Sequence, residues 1–115
     1  MKEFVLIFRM DALPEAGYSS EELEPMMKKW ENWLENLIAK NILVSHGNRL
    51  GAESRIIKNG KVITDGPYAE IKEIIGGYNI IRANSIDEAA EIAKSCPLIG
   101  DSAIEVRNIF DMNRK

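Results

Sequence analysis

One cysteine, one histidine, no surplus of positive charge and no long apolar run mark this 115-residue chain, and each shortage removes a class of function. Cys96 has no second cysteine in the chain to pair with, which predicts a reducing compartment. His46 and Cys96 stand far apart and form no metal-ligand spacing, so neither a metal nor another cofactor is expected. Fifteen Lys and Arg against 18 Asp and Glu leave a formal charge of −3. Nucleic-acid binders draw most of their non-specific affinity from a basic patch. Here Lys28-Lys29 and Arg114-Lys115 are the only adjacent basic pairs, so no nucleic-acid partner is expected. The apolar run at residues 4–8 is shorter than a secretory core of ~7–15 residues. Nothing approaches the ~20 apolar residues that span a bilayer. The expectation is a cytoplasmic protein with no membrane partner.

What the chain does contain is an ordinary globular composition, 45% hydrophobic and 29% charged. Its length suits a single domain over residues 1–115, with no linker or low-complexity tract. Residues 3–10 alternate as a strand, with Phe4, Leu6 and Phe8 on one face and Val5, Ile7 and Arg9 on the other. Leu23, Met26, Met27, Trp30, Trp33, Leu34, Leu37 and Ile38 recur at helical spacing, which predicts a core-facing stripe. Ser19 with Glu22 forms a capping-box pattern, while Pro25 suits a first helical position. That balance predicts a turn at 20–24 and a helix over 25–40. Residues 41–50 read as a second strand with Ile42, Val44, His46 and Asn48 on one face. Asn59-Gly60 marks a two-residue hairpin between residues 54–58 and 61–64. A strand over 78–83 follows Gly76-Gly77; Ser85 with Glu88 opens a second helix that stops before Pro97; a last strand covers 103–109.

Without the hairpin, the order is two strand–helix–strand units. The fold class expected is therefore α+β: ferredoxin-like βαββαβ with an inserted β-hairpin. Two helices cover one face of such a sheet, yet Val5, Ile7, Val44, Ile81 and Val106 supply apolar residues for both. A second copy over the open face is the simplest solution, which predicts a homodimer.

The segment DGPYAEIKEIIGGYNIIRANSIDEAAEIAKSCP, beginning at Asp65, resembles the DGPF-domain proteins of the YCII-related family. The resemblance rests on Asp65-Gly66-Pro67, Glu70, Lys72-Glu73, Gly76-Gly77-Tyr78, and the Ser85-x-Asp87-Glu88-Ala89 helix start running to Cys96-Pro97. Trp30-x-x-Trp33-Leu34 and Gly47-Asn48-Arg49-Leu50 extend it upstream, so it covers essentially the whole chain. It implies a dimeric α/β barrel with the two sheets face to face. Relatives in the wider superfamily act on small cyclic or aromatic metabolites without metal or flavin, and some DGPF-type proteins are encoded beside extracytoplasmic-function sigma factors. Two positions depart from the pattern. Tyr68 replaces the phenylalanine of the family name, and Trp30 stands where the YCII branch carries a helix histidine. The acid–base pair of that branch therefore does not transfer.

Of the chemistry-bearing residues, Asp65 leads. A turn carboxylate beside an apolar space can hold a raised pKa and move a proton; equally, aspartate in such a turn accepts its own backbone amides. His46 is the only histidine, the residue type whose unperturbed pKa lies near neutrality, although lone sheet histidines commonly serve structure. Arg9 could clamp an anionic ligand or pair with an acid across the dimer. Asn48, Tyr68 and Tyr78 offer hydrogen bonds to a ligand. Trp30, Trp33, Met26 and Met27 read as core, and Cys96 as buried packing. The function expected is a small-molecule-binding protein, read further as a cofactor-independent acid–base enzyme, isomerase or lyase, with Asp65 and His46 in the space between the sheets. The alternative is a non-catalytic sensing or regulatory module linked to a sigma factor.

Overall fold

Alternation of large apolar and half-exposed residues puts Lys2–Met10 (β1) at the centre of the molecule, with Phe4, Leu6 and Phe8 buried. The computed structural model describes residues 1–10, 17–64, 74–97 and 102–111. Along it follow α1 (Ser20–Ala39), β2 (Leu43–Ser45), β3 (Ile56–Lys58), β4 (Lys61–Thr64), β5 (Ile74–Ala83), α2 (Ile86–Lys94) and β6 (Ser102–Asn108). β1 pairs antiparallel with both β5 and β6, and β2 with β5, giving a four-stranded sheet in the order β2-β5-β1-β6. That order is compatible with the ferredoxin-like arrangement. β3 and β4 pair with each other as a separate two-stranded sheet, joined by Asn59 and Gly60, both at positive φ.

The core lies between one sheet face and the two helices. Phe4, Leu6, Phe8, Ile81 and Ala83 from the sheet meet Trp33 and Leu37 of α1 and Ala89 and Ala93 of α2. Small residues on α2 let its backbone approach the sheet, and Trp33 Nε1 donates to Ser95 Oγ at 2.9 Å, tying α1 to the end of α2. The opposite face carries Val5, Ile7, Tyr78, Ile80 and Glu105, all half-buried. Ile81 and Val106 belong to the helix side, and Val5 and Ile7 to the other, so both faces carry apolar residues. No helix among the described residues is long and apolar enough to cross a membrane.

Four boundaries differ from the sequence reading in ways that shape the fold. α1 begins at Ser20, not Pro25, because Ser19 and Glu22 complete a reciprocal capping box. Two otherwise orphaned N–H groups are satisfied there, which outweighs the single bond Pro25 cannot make to an exposed carbonyl. Asn41 belongs to the helix end, not to a strand. It sits at φ 59°, with its N–H on the Ile38 carbonyl and the Ile42 N–H on the Leu37 carbonyl. This is a Schellman ending with asparagine in glycine's usual place. β2 stops at Ser45 because Gly47, at φ 59°, turns the chain out of extended geometry. β5 begins at Ile74, so Gly76 and Gly77 lie inside a strand instead of leading into one.

Candidate functional site

At one end of the sheet the packing between β1, β5 and α1 opens. Along the core-facing side of β5 the sequence of residues is Gly77, Asn79, Ile81, Ala83, so side-chain volume is missing at the Gly77 end. A register shift between Phe8 and Arg9 further separates β1 from β5 at that end. The result is a cavity of about 100 Å³. Its apolar wall is Phe8, Met10, Met27 and Trp30, with Phe8 and Trp30 edge-to-face at 4.9 Å between ring centroids and 75° between planes. The two glycines are close-approach positions. A Cβ on Gly76 would meet the Met10 thioether, and one on Gly77 would lie 3.0 Å from the Asn48 carbonyl oxygen.

The polar rim is built by the turn after β2. The Ser45 hydroxyl accepts from the Gly47 N–H at 3.0 Å and stabilises that turn. Gly47 lies so close to the Tyr78 backbone that any Cβ would overlap its carbonyl oxygen. This contact brings His46, Asn48 and Arg49 alongside Gly77 and Tyr78, and all of them line the cavity. Asn48 Nδ2 donates to the Tyr78 hydroxyl at 3.1 Å. His46 is exposed, with Nδ1 3.2 Å from the Gly47 carbonyl oxygen.

Asn79 is the polar exception in the core, 1% exposed. Its Nδ2 donates to the His46 carbonyl at 2.8 Å and to the Tyr78 carbonyl at 3.1 Å. Two acceptors on the nitrogen settle which end of the amide is which. The oxygen, Oδ1, has no donor among the described residues. A buried acceptor left without a partner costs about 1–3 kcal/mol, and Asn79 stands in the cavity wall.

Of the residues singled out from the sequence, His46, Asn48 and Tyr78 come together on this rim. The alternation expected to place His46 and Asn48 on one strand face is absent, since both lie beyond β2 and are positioned by the Gly47 turn. Arg9 is elsewhere. Its Nε meets Glu105 Oε1 at 2.7 Å across β1 and β6, so its acid partner lies in the same chain. With both side chains about one-third exposed, at 34% and 35%, the pair contributes no more than about 1 kcal/mol. Asp65 and Tyr68 lie outside the described residues. Trp30 and Met27, read as core, are half-buried cavity wall. Cys96 is buried, and burial pushes its thiol up to about 12, which suits packing and not nucleophilic attack. Asn79 went unnoticed in the sequence, although an amide among alternating apolar residues was a visible signal.

The cavity is bounded on the helix side by Met27 and Trp30 of α1. A wider concavity of about 1220 Å³, about as open to solvent as the smaller one, lies among Met1, Glu3, Asn84, Phe110 and Asp111. Among the described lining residues of the smaller cavity there is no carboxylate, and no described cluster of His, Cys, Asp and Glu could hold a metal. The site therefore offers hydrogen bonds and an aromatic wall.

These features define an α+β protein with an antiparallel sheet, two helices on one face and a small, amide-rimmed cavity at one sheet end. The chain belongs to the YCII-related domain family, whose model matches residues 4–113, nearly the whole chain. No curated protein matches it.

Proposed function

We propose that this protein binds a small cyclic or aromatic molecule in the cavity between β1, β5 and α1. The observation that carries this reading is the pairing of an aromatic–thioether wall with convergent polar groups, the usual make-up of a small-molecule site. Acid–base catalysis is the further step. It falls to Asp65, whose carboxylate the described lining lacks, with His46 on the rim as its partner and Tyr68 as a hydrogen-bonding neighbour in sequence. Two copies pair through the half-exposed face carrying Val5, Ile7 and Ile80, as in a dimeric α/β barrel, which leaves the cavities on the outer, helix-covered sides. The reaction class that fits is an isomerisation or elimination needing no cofactor, in the cytoplasm.

The test is a panel of small cyclic and aromatic compounds followed by ligand-observed NMR and by product analysis, on the wild type and on Asp65→Asn. Binding by both, with turnover only in the wild type and the dimer intact in each, supports the enzyme. Equal turnover by the variant removes Asp65 from the mechanism, and absence of any binding removes the site. A sensing role is favoured by one observation, the lack of a carboxylate among the described lining residues. It requires stable association with a regulatory protein such as an extracytoplasmic-function sigma factor, and co-purification from the native host decides it.

A further inference from the structure

We infer that the β3–β4 hairpin is a docking arm that seats on a second copy of this chain, with its paired lysines meeting carboxylates on the outer face of that copy's α1. The inference goes beyond the small-molecule reading and concerns a different part of the molecule.

The hairpin stands apart from the core. β3 and β4 pair with each other, and neither makes more than a marginal contact with another described strand or helix. A lone two-stranded ribbon is marginally stable in water and needs a third strand or a helix against one face. Here Ile57 lies opposite Val62, and both stay exposed, at 65% and 58%. The next pair toward the turn sets Lys58 directly opposite Lys61. Like charges in that position destabilise a hairpin, and neither lysine has an ion-pair partner among the described residues. An occupant that covers the apolar pair and brings carboxylates to the lysines relieves both faults. The two pairs project from opposite faces of the ribbon, and the long lysine stems let the ammonium groups reach round the tip.

Charge says what the occupant is. Residues 54–64 contain Arg55, Lys58 and Lys61 and no Asp or Glu, so all 18 acids lie elsewhere in a chain of formal charge −3. A second copy therefore offers the basic arm an acidic body. On α1, Glu31, Glu35 and Ile38 fall on one helical face and are all exposed, Ile38 at 59%. That face carries the two chemistries the arm lacks, carboxylate and uncovered aliphatic surface.

The experiment mixes natural-abundance and ¹⁵N-labelled full chains at low salt, joins amines to carboxylates with a zero-length carbodiimide, and reads the linked peptides by mass spectrometry. Lys58 or Lys61 is expected to link to Glu31 or Glu35 across the two isotopes. The yield is expected to fall as added salt shortens electrostatic reach to about 3 Å at 1 M. In Lys58→Glu/Lys61→Glu, self-association followed by sedimentation is expected to weaken about tenfold at low salt. Ile57→Asp is expected to weaken it too, with the fold intact by circular dichroism because the hairpin lies outside the core cluster. Hairpin lysines that link only within one isotope, only to other carboxylates, or not at all overturn the proposal. Unchanged self-association of both variants overturns it as well. Either failure leaves the cavity and the open-face pairing standing, since neither uses the hairpin.

Discussion

β1 and β5 run side by side through the whole molecule, yet their two ends behave as different materials. At one end Phe4 faces Ile81, Ala83 follows, and Ala89 and Ala93 of α2 close over them, every one of these residues buried. At the other end Phe8 faces Gly77, the register slips, and the place of a core side chain is taken by a space bounded by Trp30, Met10 and an unpaired amide. Strand pairing and alternation are the same at both ends; the difference is side-chain volume and one orphaned oxygen. A region that gives up packing and gathers polar groups at its rim is where binding is to be sought, because a ligand can fill the space.

The contrast can be broken from the closed end first. Ile81→Ala removes a fully buried side chain from a site that cannot collapse, and is expected to cost about 2–5 kcal/mol in chemical denaturation. A loss under 1 kcal/mol would mean that this end is no better packed than the other. At the open end, Gly47→Ala forces a positive φ on a side chain that also meets the Tyr78 carbonyl, and about 2–3 kcal/mol is expected. The same variant should detach the rim, read as loss of the Asn48–Tyr78 contact by NMR.

Cys96, a core residue next to the cavity-lining Pro97, adds a pH signature. Its thiol rises from an ordinary value of 9.0 to about 12 on burial, so the folded protein keeps the proton that the unfolded chain gives up. More protons are then bound in the native state, and stability falls as pH rises through the window from 9.0 toward about 12. Denaturation series of the wild type and Cys96→Ala over that window should diverge, with the wild type losing the more per pH unit. Parallel curves would show that solvent reaches the thiol. The smallest effect is reserved for Gly76→Ala. Its Cβ meets only the flexible end of Met10, so stability should change by less than about 1 kcal/mol while binding in the cavity weakens as Met10 is pushed inward. Unchanged binding would show that Met10 does not bound the occupied space.

The elements were largely legible because their signals are local. The alternation of β1, the Ser19–Glu22 box, the turn at Asn59 and Gly60 and the Ser85 cap each depend on neighbours in the chain. Even the Ser85 cap shows where locality fails: Ser85 Oγ accepts from the Glu88 N–H, but the Glu88 carboxylate turns to Asn84 instead of closing the box. The site was legible only in pieces. His46 and Asn48 stand beside Tyr78, but the Gly47 turn places them there and not the strand alternation read for the first two. Arg9 drew attention as a buried cation, whereas its partner Glu105 is supplied by a strand almost a full chain length away.

Sequence alone settled the order of strands and helices, the family, and which residues are able to pair, cap and turn, since these follow from contacts a few positions apart. Only tertiary structure decided that Gly47 is an irreplaceable and Gly77 a close approach to another backbone, that Trp30 is a wall and not a plug, and that Asn79 leaves one oxygen without a donor. The physical reason is that each of these depends on volume and hydrogen-bond partners arriving from distant parts of the chain. No periodicity records whether the space opposite a residue is filled.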